Sequence, residues 1–416
     1  MTVDTISKAG DVNVNLVQII NSQGVALDIT NQILNIEIYE DLFSPFITGN
    51  LLVVDSLDIS SVLPLVGEER VNLDIETPGL GKIKDQFYLY KMSNKDRFSE
   101  SAMAYQIHFM SLEGIIDANK KISKAFSGKN SDIVQKLIRS EGLNSKKTAN
   151  IEETRNSQKY VSNFWSPTQN IAYVMEDSEN MTGAPSFVFF ENREGYVFAS
   201  LNSLYAVPPI QTFVEDNYTR TIGASGTTIR SVEEDYKRVN NLYVPDFFDY
   251  LDRVQGGYYS SALTSYDVTT KKYTYRVFDA KTKTSKNLND QALVQLGANY
   301  RSDALRLFVP KYYGNFNGYS DVTNANSMQE RISLLKQAES LKIQISVAGR
   351  VDYTVGRTVN LEVYKNKPTR VGDSVKDLID PVMSGLYLIS AISHQITRKE
   401  HICNMELIKD SILKGK

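Results

Sequence analysis

A single cysteine, Cys403, is all that this chain of 416 residues contains. That excludes a disulfide framework and a thiolate metal cage, and it suits synthesis in a reducing cytoplasm. Histidine is nearly as scarce. His108, His394 and His401 are the three present, and none sits in an H-E-x-x-H helix. No apolar run approaches the ~18 residues of a membrane span. The opening MTVDTISKAG is polar, with no basic region followed by an apolar core, so no signal peptide is expected. Basic excess is missing too: net charge is −3 and the pI about 5.8. A surface built to hold nucleic acid would need a basic stripe.

What the chain does contain is enough to fold. Hydrophobic residues make up 42% and charged residues 23%, the balance of a packed globular protein, and the length suggests two to four domains. Tyrosine (24) and phenylalanine (17) are plentiful. With many polar turns, they suggest strand-rich domains and large contact surfaces.

Four parts follow one another. Residues 1–115 read as a first β-barrel or sandwich, with alternating strands in ILNIEIYE (33–40), FITGNLLVVDS (46–56), VGEERVNLDI (66–75), FYLYKMS (87–93) and MAYQIHFMSL (103–112). Residues 116–213 read as a small α/β domain. SDIVQKLIRSEG (131–142) predicts a helix capped by Ser131 and stopped at Gly142. WSPTQNIAYVMEDSE (165–179) predicts another, capped by Ser166 with Pro167 in its first turn. SFVFFENREGYVFASL (186–201) predicts a hairpin turning at ENREG, with alternate aromatic residues of Phe187–Phe190 filling the domain's own core. Residues 214–279 and 340–416 read as a second, split β-barrel that includes the hairpin YYSSALTSYDV/KKYTYRVFD. Residues 280–339 read as an insertion whose helix, NSMQERISLLKQAESL, carries Met328, Ile332, Leu335 and Ala338 on one side.

The two β parts echo each other. VGEERVNLDI (66–75) returns as VGRTVNLEV (355–363). VNLDI is followed by FYLYKMS and AYQIHFMSLEGI; VNLEV is followed by LYLISAIS and HICNMELIKDSI. A duplication of one barrel explains this, with the second copy interrupted by the insertion. Val71, Leu73 and Ile75 should then occupy the same barrel position as Val359, Leu361 and Val363. Three such chains in a closed ring would present six similar barrels.

Catalytic chemistry is thin. The histidines read as packed or solvent-facing strand residues, with His394 and His401 able to face each other across the last hairpin, and Cys403 reads as a core residue. Glu152–Glu153 and Glu233–Glu234 are adjacent carboxylates that point apart in an extended chain, unlike the converging pair glycoside hydrolysis needs. Gly128–Lys129 lacks the upstream glycine of a phosphate loop, GASGTT (223–228) lacks the G-x-S-x-G frame, and TPGLGK (77–82) reads as a turn. No catalytic, cofactor-binding or metal-ligating residue is assigned, no cofactor is expected, and the chain reads as not an enzyme.

SFVFFENREGYVFASL, behind its two capped helices, resembles the middle domain of the central baseplate hub proteins of contractile-tailed bacteriophages. IEIYEDLFSPFITGNLLVVDS with PLVGEERVNLDIETPG resembles their first barrel. VGRTVNLEVYK and SGLYLISAISHQITRKEHICNMEL resemble their second. The hub-like part of type VI secretion spike proteins is related. The match covers roughly 30–280 and 340–410 and is carried by the order of the parts. The resemblance implies an α+β, mainly β fold: two similar tube-protein-like β-barrels plus a small α/β domain and an insertion. It implies a homotrimer whose pseudo-sixfold ring adapts a hexameric tail tube protein ring to a trimeric central spike protein. Further partners would be other baseplate proteins, and DNA would pass transiently through the channel without specific binding. The location implied is the tail baseplate of a virion, assembled in the host cytoplasm. The chain closes at ILKGK soon after the second barrel, so no lysozyme module or needle is expected on it. The hub of a phage-derived contractile injection or secretion apparatus, a glycan-cleaving tail enzyme and a receptor-binding module are the alternatives.

Overall fold

The computed structural model describes residues 6–56, 59, 65–100, 102–215, 231–267, 271–283, 286–311, 323–365 and 378–414. The first barrel uses β1 (Asn13–Ile20), β2 (Ala26–Asp28), β3 (Ile33–Asp41), β4 (Thr48–Asp55), β5 (Arg70–Thr77), β6 (Gly81–Ser99) and β7 (Ala102–Met110). They hydrogen-bond in the order β2-β1-β5-β6-β7-β4-β3. Period-two alternation sends one side of each strand inward. Val71, Leu73, Ile75, Ile36, Ile38, Leu51, Val53, Ile107 and Phe109 thus share one core. Gly49 makes room for it, because a Cβ there would sit 2.4 Å from the Phe109 ring.

The small domain contains α1 (Leu112–Asn119), β8 (Ala125–Lys129), α2 (Asn130–Ile138), β9 (Ala149–Ile151), β10 (Ser157–Val161), α3 (Pro167–Glu176), β11 (Phe187–Asn192), β12 (Gly195–Ser200) and α4 (Leu201–Leu204). Helix α3 starts as its sequence predicts, with Ser166 and Gln169 forming a reciprocal capping box and Pro167 behind them. Helix α2 does not. It begins at Asn130 with Lys129 at the cap position, and the Ser131 amide donates to Thr154 Oγ1 instead. It ends at Ile138, four residues before Gly142. The β11–β12 hairpin turns where expected, but both of its faces are buried. Phe187, Phe189, Tyr196 and Phe198 fill the small domain's core. Val188, Phe190, Val197 and Ala199 pack into the core of the second barrel. The Phe190 ring lies 2.5 Å from where a Cβ on Gly356 would be, and Gly356 has φ +81°, so that position needs glycine twice over.

The second barrel opens with β13 (Thr212–Glu215), α5 (Val232–Tyr236) and β14 (Arg238–Tyr243). The chain then leaves it for α6 (Tyr250–Gln255), β15 (Ser260–Asp267), β16 (Lys272–Asp279), β17 (Gln291–Ala292), α7 (Leu293–Leu296), β18 (Arg306–Lys311) and α8 (Thr323–Ala338). It returns with β19 (Leu341–Ala348), β20 (Thr358–Glu362), β21 (Gly385–Ile396) and β22 (His401–Lys409); β23 (Ser411–Ile412) pairs with β17. The hairpin expected in this barrel lies elsewhere: β16-β15-β18 form a sheet of their own. Strand β19 takes the place beside β14, with Leu341, Ile343, Ile345 and Val347 buried. The alternating Tyr273, Tyr275 and Val277 of β16 face solvent. Helix α8 also departs from its pattern. Ala338 is buried in the second-barrel core and Leu335 packs against it, but the rest of its buried side is polar: Gln329 donates to the Ser261 carbonyl, and Ser333 Oγ donates to the Tyr258 carbonyl.

The internal repeat holds at the level of register. The first barrel reads β1-β5-β6-β7-β4-β3 and the second β13-β20-β21-β22-β19-β14, one order in space and one order in sequence. Val71 pairs with Phe87 and Val359 with Tyr387, so the two opening motifs occupy matching places. Each long strand then bulges at the same step, between Leu89 and Lys91 and between Ile389 and Ala391. A second bulge recurs between Ile33 and Asn35 and between Val239 and Asn241. Bulges are local features that pin register, and two coinciding pairs are hard to explain except by duplication. The first strands differ. β1 is antiparallel to β5, whereas β13 runs parallel to both β20 and β14 and closes the second barrel.

Candidate functional site at the seam between the barrels

Strand β21 belongs to both barrels. On one edge it pairs with β22 from Leu388 to Ile396. On the other, Gly385–Leu388 pair with β20 and Ala391–Ile396 pair antiparallel with β3 of the first barrel. The long strand is therefore a seam. Glu40, on β3, lies fully buried beside it. Arg193, from the β11–β12 turn, donates to Glu40 Oε1 at 3.1 Å and to the Tyr353 carbonyl at 2.7 Å. Thr354 Oγ1 and the Val355 amide donate to Glu40 Oε2. One carboxylate thus ties together both barrels and the small domain. Burial pushes its acidity down and its pKa up, and the Arg193 charge opposes that rise. A second tie joins the small domain to the first barrel. Glu191 accepts from the Ile47 amide at 3.0 Å, and Lys147 bridges Glu191 and Glu113. The cleft at this place, about 410 Å³, is lined by Asp85, Lys147, Glu191 and Arg193.

The duplication makes the seam informative. The first-barrel counterpart of β21 is β6, and the counterpart of β3 is β14. On β6 the ladder with β5 ends at Tyr88. Among the described residues no strand pairs with that edge at Lys91–Ser93, the stretch matching Ala391–Ser393. On β14, β13 covers only Arg238 and Val239. Its continuation carries exposed Tyr243, Phe247 and Phe248, and β6 carries exposed Tyr90 and Phe98. Another exposed apolar surface lies on the insertion's sheet. Tyr275, Thr264 and Phe308 align across three strands, flanked by Tyr273 and Val277, with Tyr273 and Phe308 about three-quarters exposed.

The residues weighed for chemistry are scattered. His108, on β7, contacts Ser93 Oγ through Nε2 at 2.7 Å. Glu152 accepts from the amide and hydroxyl of Ser200, while Glu153 pairs with Lys129 at the surface. Glu233 and Glu234 lie in the first turn of α5, where Glu234 completes a capping box with Ser231. Gly128 is a strand residue of β8 and TPGLGK forms the β5–β6 turn. GASGTT lies outside the described residues. What the structure does bring together is His394, His401 and Cys403, all buried at the seam. Desolvation holds His394 well below the usual imidazole range and His401 at about 3, and it lifts the Cys403 thiol to about 12. The expected meeting of the two histidines across the hairpin is found; their convergence with the cysteine was not read from the sequence. The signal was H-x6-H-x-C on one hairpin, because His401 and Cys403 share a strand face and His394 lies directly opposite Cys403.

No family model and no curated protein matches the chain. Solved structures do. The 43 kDa tail protein of prophage MuSo2 from Shewanella oneidensis superposes with a TM-score of 0.55 at 10% identity, over 96% of this chain and 100% of that one. The tail protein from Neisseria meningitidis MC58 gives 0.53 at 12%, over 95% and 96%. At such identities the likeness is one of fold, and it runs end to end. The chain has the α+β, mainly β fold of these tail proteins.

Proposed function

We propose that the chain is a structural component of a phage-type tail baseplate, acting as its central hub. Three copies form a ring of six similar barrels. The pseudo-sixfold face matches a hexameric tail tube ring, the threefold face matches a trimeric spike, and the bore passes DNA without specific binding. The protein works in the assembled tail after synthesis in the host cytoplasm. Its task is mechanical, and a mildly acidic chain suits a channel that must not retain a polyanion.

The observation that carries this reading is the pair of unfilled edges. Within one chain, β3 is added to the outer half of β21. Among the described residues, the matching outer half of β6 and the matching edge of β14 beyond Val239 are left over, one at each end of a two-barrel unit. Repeating the internal junction between copies joins β14 of one to β6 of the next, and the ring closes at three. Such strand addition contributes main-chain hydrogen bonds and covers the exposed aromatic residues at both edges. The likeness in fold to phage tail proteins supports the setting.

The test is the mass of the purified chain by native mass spectrometry, with a negative-stain image. Three chains in a six-lobed ring are expected. A chain that stays monomeric at micromolar concentration, or a ring without six lobes, overturns the proposal. A glycan-cleaving activity would need the cleft carboxylates Asp85 and Glu191 free to act, whereas Glu191 is held by Lys147 and the Ile47 amide.

A further inference from the structure

The cluster at the seam has the makings of a metal centre. His394 Nδ1 and His401 Nε2 lie 3.0 Å apart, and Cys403 Sγ lies 3.3 Å from the first and 3.4 Å from the second. Three of the best transition-metal donors thus point at one spot in a fully buried place. With metal–nitrogen bonds of about 2.0–2.1 Å and metal–sulfur bonds near 2.3 Å, such donors stand roughly 3.3–3.6 Å apart around a tetrahedral ion. The triangle here is slightly tighter than that and would open little on binding.

Hydrogen bonding alone serves these groups poorly. The outward His401 Nδ1 has no hydrogen-bond partner although its ring is buried, and outside the cluster the His394 ring is left to the Tyr353 backbone. Buried imidazoles normally satisfy both nitrogens. An ion on the inward lone pairs fixes the protons on the outward nitrogens. The His394 Nε2 proton then faces Glu40 Oε1, 3.9 Å away. A carboxylate behind a ligating histidine is the usual outer support of such sites. The barrel itself does not require the cluster. Met405 pairs with Ile345 as Ile107 pairs with Leu51, so the first-barrel residues matching His401 and Cys403 are Met103 and Tyr105.

We propose that His394 Nδ1, His401 Nε2 and Cys403 Sγ bind one thiophilic metal ion, zinc or cuprous copper, which fastens the β21–β22 hairpin at the seam. One thiolate and two imidazoles suit both ions. Binding displaces the thiol proton to solvent. Three donors complete a trigonal cuprous site. Zinc needs a fourth ligand, for which the Arg350 carbonyl, 4.0 Å from Sγ, is a candidate.

The full-length chain is purified without added metal and its zinc and copper are measured by mass spectrometry. It is then unfolded with chelator and refolded with zinc sulfate, with cuprous ion under anaerobic reducing conditions, or with neither. One equivalent of one ion is expected, with a raised melting temperature for that ion only. Cys403→Ser and His401→Asn should each lose the equivalent and the shift. X-ray absorption of the loaded wild-type chain, with one sulfur and two nitrogen neighbours, gives a readout that survives if the variants fail to fold. No stoichiometric ion and no metal-dependent shift in the wild-type chain overturn the proposal. So does a shift of equal size in Cys403→Ser.

Discussion

Glu40 shows how one residue can decide an architecture. Its carboxylate is out of water and is stabilised by Arg193, Thr354 and the Val355 amide. Removing one partner of a buried pair leaves an uncompensated charge, at about 3–5 kcal/mol. Arg193→Ala should therefore destabilise the chain by about that much in urea unfolding, while Glu40→Gln, which keeps the shape and drops the charge, should cost less. Asp410 gives a pH signature. Burial raises its pKa from 3.8 to about 6. The folded chain then binds a proton more tightly than the unfolded one. That stability is fully present below pH 3.8 and is lost as pH rises through about 6. A shift of about two units corresponds to about 3 kcal/mol. Asp410→Asn should remove that share of the slope between pH 4 and pH 7, measured as the difference in unfolding free energy against wild type. Neither residue announces itself in the sequence. Glu40 sits in an alternating strand whose other polar residues are half-buried, and it is buried by β21, the Thr354–Val355 segment and the β11–β12 turn, all distant in sequence.

At the scale of elements, local chemistry predicted well where the element's own neighbours in sequence settle it. Ser166-Pro167 set the start of α3, and ENREG set the turn of the β11–β12 hairpin. It failed where a distant surface decides. Both faces of that hairpin are buried because it is a wall between two cores. Helix α8 buries serine and glutamine because Tyr258, just before β15, and Ser261, at its start, offer carbonyls there. The β15–β16 hairpin joins β18, leaving Tyr273, Tyr275, Val277 and Phe308 on an open face. An exposed apolar patch of this kind is a candidate contact surface. Tyr275→Ser combined with Phe308→Ser should leave the unfolding midpoint within about 0.5 kcal/mol of wild type, as exposed sites do. The pair should weaken binding to a baseplate partner in a pull-down from assembled tails. Unchanged binding would assign the face to no partner.

At the scale of the molecule, the proposed ring rests on edges that the internal junction leaves unfilled. Tyr243→Asp places a charge at the last residue of β14, whose one edge pairs with β19 and where the residue is 58% exposed in one chain. It should shift the mass from three chains to one while leaving the monomer's fold unchanged by circular dichroism. A trimer that persists would move the interface elsewhere and leave the hub reading to the image. The sequence by itself determined the period-two strands, the repeated motif VGEERVNLDI/VGRTVNLEV and the order of the parts. These are properties of alternation and turn chemistry within a few residues. Only the tertiary structure decided that β3 crosses to β21, that the two copies share their bulges, and that His394, His401 and Cys403 meet beside Glu40. Each of those depends on which strand edges remain unpaired after local pairing, and main-chain hydrogen bonding between distant strands leaves no periodic mark in the residues that form it.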